Sequence, residues 1–290
     1  MSAVVDRLEA LAERDEVLAP LARLYACVLR LASAPESQLF VQLLRAQAPQ
    51  PSASVPLLHE QTLAVDVGQL ARLLQEMSRV LVHHDLPASE ELAEAISSGR
   101  LVALELIRAG VQAHTESLEQ LALDTNLPAP LVRVMADTTA MAVLSVLGRS
   151  VETNALQGWR TGYCPICAAW PVVAEFRGLE RDRWLRCGRC GTGWRYPHQQ
   201  CPFCGNSDHR TLRYFAEEGK QDSQRVEVCE QCRGYVKTFA TLGPWSHGEV
   251  LLQDLVTVEF DLAAQEREYR RPEGLGFPLA VQIVARELAA

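Results

Sequence analysis

The chain has 290 residues, of which 48% are hydrophobic and 22% charged, and its formal net charge is −8. That is the composition of a globular protein of about two domains. The acidic balance speaks against nucleic acid as the partner. Its most apolar uncharged run, 138–148, is shorter than the roughly 20 residues needed to span a bilayer. Residues 1–17 are rich in charge and lead into no apolar signal segment, so the sequence predicts a cytoplasmic protein without membrane insertion.

In chain order, helices are expected first, over 3–15, 18–33 and 36–47. A Pro/Ser-rich connection follows at 48–56, APQPSASVP. In 66–83 the residues Val67, Leu70, Leu73, Leu74, Met77, Val80 and Leu81 recur three and four apart, which lines one helical face, and Asp66 suits the N-cap. A short helix is expected over 88–98, closed by Gly99. Helix continues over 101–123 with a break near Gly110. The stretch 130–147 is apolar on nearly every side, as the central helix of a bundle would be. From Trp159 the helical period disappears, and short β-like runs appear at 171–177, 183–186, 212–216, 224–227 and 235–240. A helix returns over about 251–268. The expected architecture is α+β: an all-α domain over 1–158, a small four-cysteine β module over 159–200, a second over 201–247, and a C-terminal helix and tail over 248–290.

Eight of the nine cysteines lie within 164–232, as four Cys-x-x-Cys pairs. In a reducing compartment, clustered cysteines read as metal ligands before disulfides. A tetrahedral thiolate site for zinc or iron needs four sulfurs, and two such turns supply them. Pairing in sequence closes spacers of 19 and 24 residues, whereas a nested pairing would close one of ten. The sequential arrangement is preferred, with Cys164, Cys167, Cys187 and Cys190 as one site and Cys201, Cys204, Cys229 and Cys232 as the other. A thioredoxin-like dithiol would want a βαβ unit, and none surrounds the pairs. Cys27, in an apolar helix, reads as a core residue.

Charge is uneven: 1–158 carry −8, 159–247 carry +4 and 248–290 carry −4. Two divalent ions in all-thiolate sites leave −4, so Arg186, Arg189, Arg195 and Arg233 are expected to neutralise the clusters. His198 and His209 flank the second site and read as loop residues, and His83 and His84 as the cationic end of a helix. Trp194, Tyr196 and Tyr235 are the aromatics nearest the sites, either a face for a partner or the packing of the small cores. No Ser/His/Asp set, phosphate loop or carboxylate pair stands out, which predicts no catalytic residues.

The segments CPICAAWPV (164–172), LRCGRCGTGW (185–194), CPFCG (201–205) and CEQCRGYVK (229–237), followed by DLVTVEFDLAAQEREY (254–269), resemble the formate dehydrogenase accessory protein family, FdhE. The resemblance implies a non-enzymatic maturation factor of respiratory formate dehydrogenase. Such a factor would bind the catalytic subunit in the cytoplasm before export and hold two rubredoxin-like sites with one iron each, zinc being the alternative metal. A second copy of the chain is a further candidate partner. Ala168 departs from the glycine expected there. The competing readings are an iron electron carrier and a zinc-ribbon nucleic-acid-binding protein.

Overall fold

The computed structural model describes residues 2–34, 41–44, 54–151, 156 and 158–286. The chain forms two compact units. The first comprises 1–48, 58–150 and 279–290, and the second 49–57 and 151–278.

Seven helices build the first unit among the described residues: α1 (Ser2–Arg14), α2 (Ala19–Ser33), α3 (Val67–His83), α4 (Ser89–Ser97), α5 (Ala103–Gln112), α6 (Thr115–Thr125) and α7 (Ala129–Ser150). Helix α3 starts where its sequence says, because the Asp66 carboxylate accepts the Gln69 N–H at 2.9 Å. Its stripe of Leu70, Leu73, Leu74, Met77 and Leu81 is buried. The break expected near Gly110 falls three residues later, at Ala113, which is left-handed (φ 49°). Gly110 serves packing instead: a Cβ there would lie 2.4 Å from the Ala136 carbonyl oxygen of α7.

Helix α7 is longer than its uncharged run, since it passes through Asp137 and Arg133. By length and composition its 22 residues could cross a membrane, which corrects the reading from 138–148 alone. Most of it is buried within the fold, with Met135, Ala136, Val143 and Leu144 fully covered.

The first unit is not all-α. Strands β1 (Val41–Leu44) and β2 (Gln61–Val65) pair antiparallel, and β9 (Val281–Ala285) lies parallel to β2, with Gln61 opposite Val281 and Val65 opposite Ala285. Arg108 and Gln112 of α5 donate to the carbonyls of Ile283 and Val281, both at 2.9 Å, which fastens β9. The helix expected over 36–47 is therefore a strand at 41–44, and its remaining positions lie outside the described residues, as do 48–53 of the Pro/Ser-rich connection. The spacing of Leu39, Phe40, Leu43 and Leu44 fits a helical face, but pairing with β2 decides the conformation.

The second unit is built on one six-stranded sheet in the order β5-β4-β3-β8-β7-β6. Its strands are β3 (Val173–Arg177), β4 (Asp182–Arg186), β5 (Gly193–Arg195), β6 (Leu212–Phe215), β7 (Gln224–Cys229) and β8 (Tyr235–Thr241). Two antiparallel ribbons, β3-β4-β5 and β6-β7-β8, join through the parallel pair β3 and β8, with Val173 opposite Lys237 and Arg177 opposite Thr241. The C-terminal helix is two helices, α8 (His247–Val256) and α9 (Val258–Glu266), broken at Thr257. The first starts at the Ser246 cap, whose hydroxyl accepts the Glu249 N–H at 3.1 Å.

Val173, Val226, Val228, Tyr235 and Phe239 of the sheet pack against Val250, Phe260 and Ala264 of these helices. Within that layer Lys237, fully buried, reaches Asp254 and Asp261 at 2.7 Å each. Arg271 joins the same two carboxylates at 2.6 and 2.7 Å. Glu175, also fully buried, accepts from Arg177 and Arg186. Charges buried this deep persist only when paired and hydrogen-bonded.

Candidate metal centres

The four Cys-x-x-Cys turns have one frame. In each, the N–H four residues after the first cysteine donates back to that cysteine's carbonyl: Ala168 to Cys164 at 3.1 Å, Gly191 to Cys187 at 3.1 Å, Gly205 to Cys201 at 3.0 Å and Arg233 to Cys229 at 2.9 Å. The first cysteine's own N–H donates to the residue five ahead, at 2.8 to 2.9 Å in all four. The frame requires a left-handed residue after the second cysteine, at φ 63°, 77°, 74° and 57° in turn. Glycine meets that requirement freely at two turns. Ala168 and Arg233 adopt it at a cost of about 1–2 kcal/mol each.

The turns meet in sequential order. The sulfurs of Cys164, Cys167, Cys187 and Cys190 lie within 4.8 Å of one another, as do those of Cys201, Cys204, Cys229 and Cys232. Cys164 and Cys190 are 3.4 Å apart, Cys167 and Cys187 3.5 Å, Cys201 and Cys232 3.6 Å, and Cys204 and Cys229 3.8 Å. A disulfide would hold two sulfurs at about 2.05 Å. A tetrahedron with metal–sulfur bonds of about 2.3 Å has edges of about 3.8 Å. The donor sets therefore fit one tetrahedral ion each. Backbone N–H groups of Ile166 and Cys190 point at the sulfurs of Cys164 and Cys187, both at 3.4 Å, and the Asn206 amide points at Cys229 at 3.5 Å.

The thiols share protons as such a cluster must. Hydrogen bonds from Cys164, Cys187 and Cys190 hold Cys167 well below the usual thiol range, while burial pushes Cys164 and Cys190 well above it. In the second group burial would raise Cys229, but the N–H groups of Cys232 and Gln231 and the Asn206 amide bring it down to about 7. Burial pushes Cys232 up to about 11. A metal entering either group displaces the remaining protons.

The two groups differ in access. All four cysteines of the first are buried, whereas Cys204 and Cys232 of the second are exposed. Chain purified without air or chelator should carry close to two metal ions. A chelator should remove one of them first, and the double variant Cys201→Ser/Cys204→Ser should carry about one. Metal analysis decides: a double variant that still holds two ions would sink the sequential assignment.

The arginines divide differently from the charge reading. Arg189 lowers the Cys167 thiol, so it does act on the first group. Arg186 is bonded to Glu175 and to the carbonyls of Trp245 and Gly191, and it also feels the charge of Cys187, a lesser contribution than that of Glu175. Arg195 pairs with Asp182, and Arg233 pairs with Glu230 and covers the Tyr269 ring. The aromatic trio forms no outward face. Trp194, Tyr196 and Tyr235 are 2%, 4% and 2% exposed. Trp194 donates to the Thr161 carbonyl, the Tyr196 hydroxyl to the Cys201 carbonyl, and the Tyr235 hydroxyl to Asp261. They pack the interior beside the turns, which corrects the reading of them as a partner face.

Neither His198 nor His209 enters a sulfur cluster, and His198 stacks on Phe176 with ring centroids 5.2 Å apart. Cys27 is a buried residue of α2 whose thiol burial pushes up to about 11, as a core cysteine. The ion pairs of Glu227 with Arg183 and Arg225 escaped the sequence reading. Their only signal was an acid closing the β-like run 224–227.

Residues 199–275 match the family model described as FdhE, C-terminal domain. A protein FdhE homolog of Aquifex aeolicus is 32% identical over 118 residues, which are 40% of this chain and 41% of that one. Another from Stutzerimonas stutzeri is 35% identical over 112 residues, 37% of this chain and 35% of the relative. The matched stretch thus spans about two-fifths or less of these relatives' length. The crystal structure of the FdhE protein from Pseudomonas aeruginosa superposes with a TM-score of 0.57 at 24% identity, covering 96% of this chain and 94% of that one, and so shares the fold. The third and fourth cysteine turns, β6 to β8 and both C-terminal helices fall within the matched residues, so over 199–275 the chain is similar to the C-terminal domain of the FdhE family.

Proposed function

We propose that the chain is an accessory factor for formate dehydrogenase. It binds the catalytic subunit in the cytoplasm before that subunit is exported, and catalyses no reaction of its own. The observation that carries this reading is the FdhE C-terminal match, which includes the second four-cysteine group. The sites fit the role of scaffolds: each offers four protein sulfurs, so a bound ion keeps no open position for substrate. Bound zinc would only cross-link the turns, whereas bound iron would add one-electron chemistry.

The cysteines would hold the ions and the paired turns would fix the sheet that carries them. A strain lacking this gene should make formate dehydrogenase polypeptide with little activity. The wild-type chain should restore activity, and Cys201→Ser/Cys204→Ser should not. Full formate oxidation in the deletion strain would overturn the proposal. The electron-carrier reading has one observation in its favour, the exposure of Cys204 and Cys232, which would bring an iron there close to solvent. An anaerobic visible spectrum separates the two metals, because ferric tetrathiolate is coloured and zinc is silent.

A further inference from the structure

Among the described residues, strand β6 ends the six-stranded sheet and pairs on one side only, with β7. The Glu230 N–H donates to the Thr211 carbonyl at 2.8 Å, which fixes the phase of that ladder. Hydrogen-bonded pairs alternate along an antiparallel ladder. Arg213 opposite Val228 and Phe215 opposite Val226 therefore bond to β7, while Leu212 and Tyr214 turn their backbone groups outward. The Leu212 N–H is taken by the Asp208 carbonyl at 3.2 Å. The Tyr214 N–H and carbonyl and the Leu212 carbonyl remain facing the open edge. Tyr214 itself is 54% exposed.

Beside that edge, on the sheet face away from α8 and α9, is a pocket of about 210 Å³. Arg183, Arg225 and Glu227 line it, two guanidinium groups to a single carboxylate, while Arg213, opposite Val228, sends its side chain to the other face of the same edge strand. The Glu227 carboxylate is already shared between Arg183 at 2.8 Å and Arg225 at 2.6 Å. Arg213 has no ion pair among the described residues. The Nε–H groups of Arg183 and Arg225 are buried and have no hydrogen-bond partner there. The Arg225 guanidinium lies over the Tyr214 ring at 4.7 Å, which ties the pocket to the edge strand. Cys201 and Cys229 of the second four-cysteine group are also among the pocket's lining residues.

An open edge with excess positive charge beside it fits one kind of occupant. We propose that β6 accepts an extended acidic segment of a partner polypeptide as a seventh strand, with a carboxylate of that segment paired across the strands with exposed Arg213. Backbone pairing supplies affinity in such strand addition, and the alternate side chains supply the choice of sequence. The inference rests on reading the chain as a binding protein, and not on which protein it serves.

The test uses the full-length, metal-loaded chain and a labelled ten-residue peptide alternating Glu and Val, with a Lys/Val peptide as control. Anisotropy should show saturable binding of the acidic peptide at least tenfold tighter than of the basic one. Arg213→Glu should lose at least tenfold. Tyr214→Pro should lose at least tenfold relative to Tyr214→Ala, because proline removes the outward N–H while an edge strand tolerates it. Metal content and circular dichroism report that each variant is folded. The proposal is overturned if both peptides bind alike, if the proline and alanine variants bind alike, or if inorganic phosphate displaces the peptide at equal concentration and so marks a small-anion pocket. A failure here leaves the deletion-strain result standing, and a negative deletion strain leaves the peptide result standing.

Discussion

Stripping both metals from the purified chain should unfold the second unit and leave the helices of the first in place. Its strands are three to seven residues long, and ribbons of that size are marginal alone. A structural tetrathiolate site contributes roughly 10 kcal/mol or more of binding energy that is realised only on folding. Each ribbon has one sulfur group at its end, and the two ribbons are halves of one sheet joined at β3 and β8. Loss of both ions should therefore be a single cooperative event for the sheet. Far-UV circular dichroism should keep most of its helical signal, while limited trypsin digestion should begin to cut within the arginine-rich 177–233. Helix and sheet signals disappearing together would show that the two units fold as one.

The second large effect is electrostatic. Lys237→Met should destabilise the second unit by about 3–5 kcal/mol, because Asp254 and Asp261 would keep a single cation, Arg271, between them in the interior. The comparison is Lys220→Met, which breaks an exposed pair with Glu217 and should cost below about 1 kcal/mol. Urea titrations of the two variants check the contrast, and equal midpoints would refute it. The network also sets an acid limit. Burial alone would raise the Asp254 carboxyl, but Arg271 and Lys237 outweigh it and hold it below its ordinary value. A depressed folded pKa contributes stability that is fully present above the unfolded value, near pH 4, and is lost as pH falls through the folded value.

What the sequence made legible was what it writes locally. Each cysteine turn is a four-residue signal with its own bend, so the donor groups could be read before the fold was known. The same holds for α3, whose cap and stripe lie within one segment, and for the runs that became β3, β4, β6, β7 and β8. The remainder depends on partners far away in sequence. Residues 41–44 carry helical spacing and become a strand because β2 is there to pair with. Gly193, Trp194 and Arg195 are too few to show a period, yet they form β5 against β4. Arg186 reads as a counter-charge for sulfur alone because Glu175, its ion-pair partner, is eleven residues earlier on a neighbouring strand.

The position of β9 carries a consequence for biosynthesis. The ribosome makes β2 early, then the rest of the helices of the first unit, then 151–278 of the metal-binding unit, and only afterwards Val281–Ala285, the strand that lies against β2. At about 5–20 residues per second, some 220 residues of separation mean a wait of about 10–45 s. During that wait the edge of β2 and the α5 groups Arg108 and Gln112 have no strand to hold. The nascent chain therefore displays an unpaired β2 edge until Val281–Ala285 emerges and completes the sheet of the first unit.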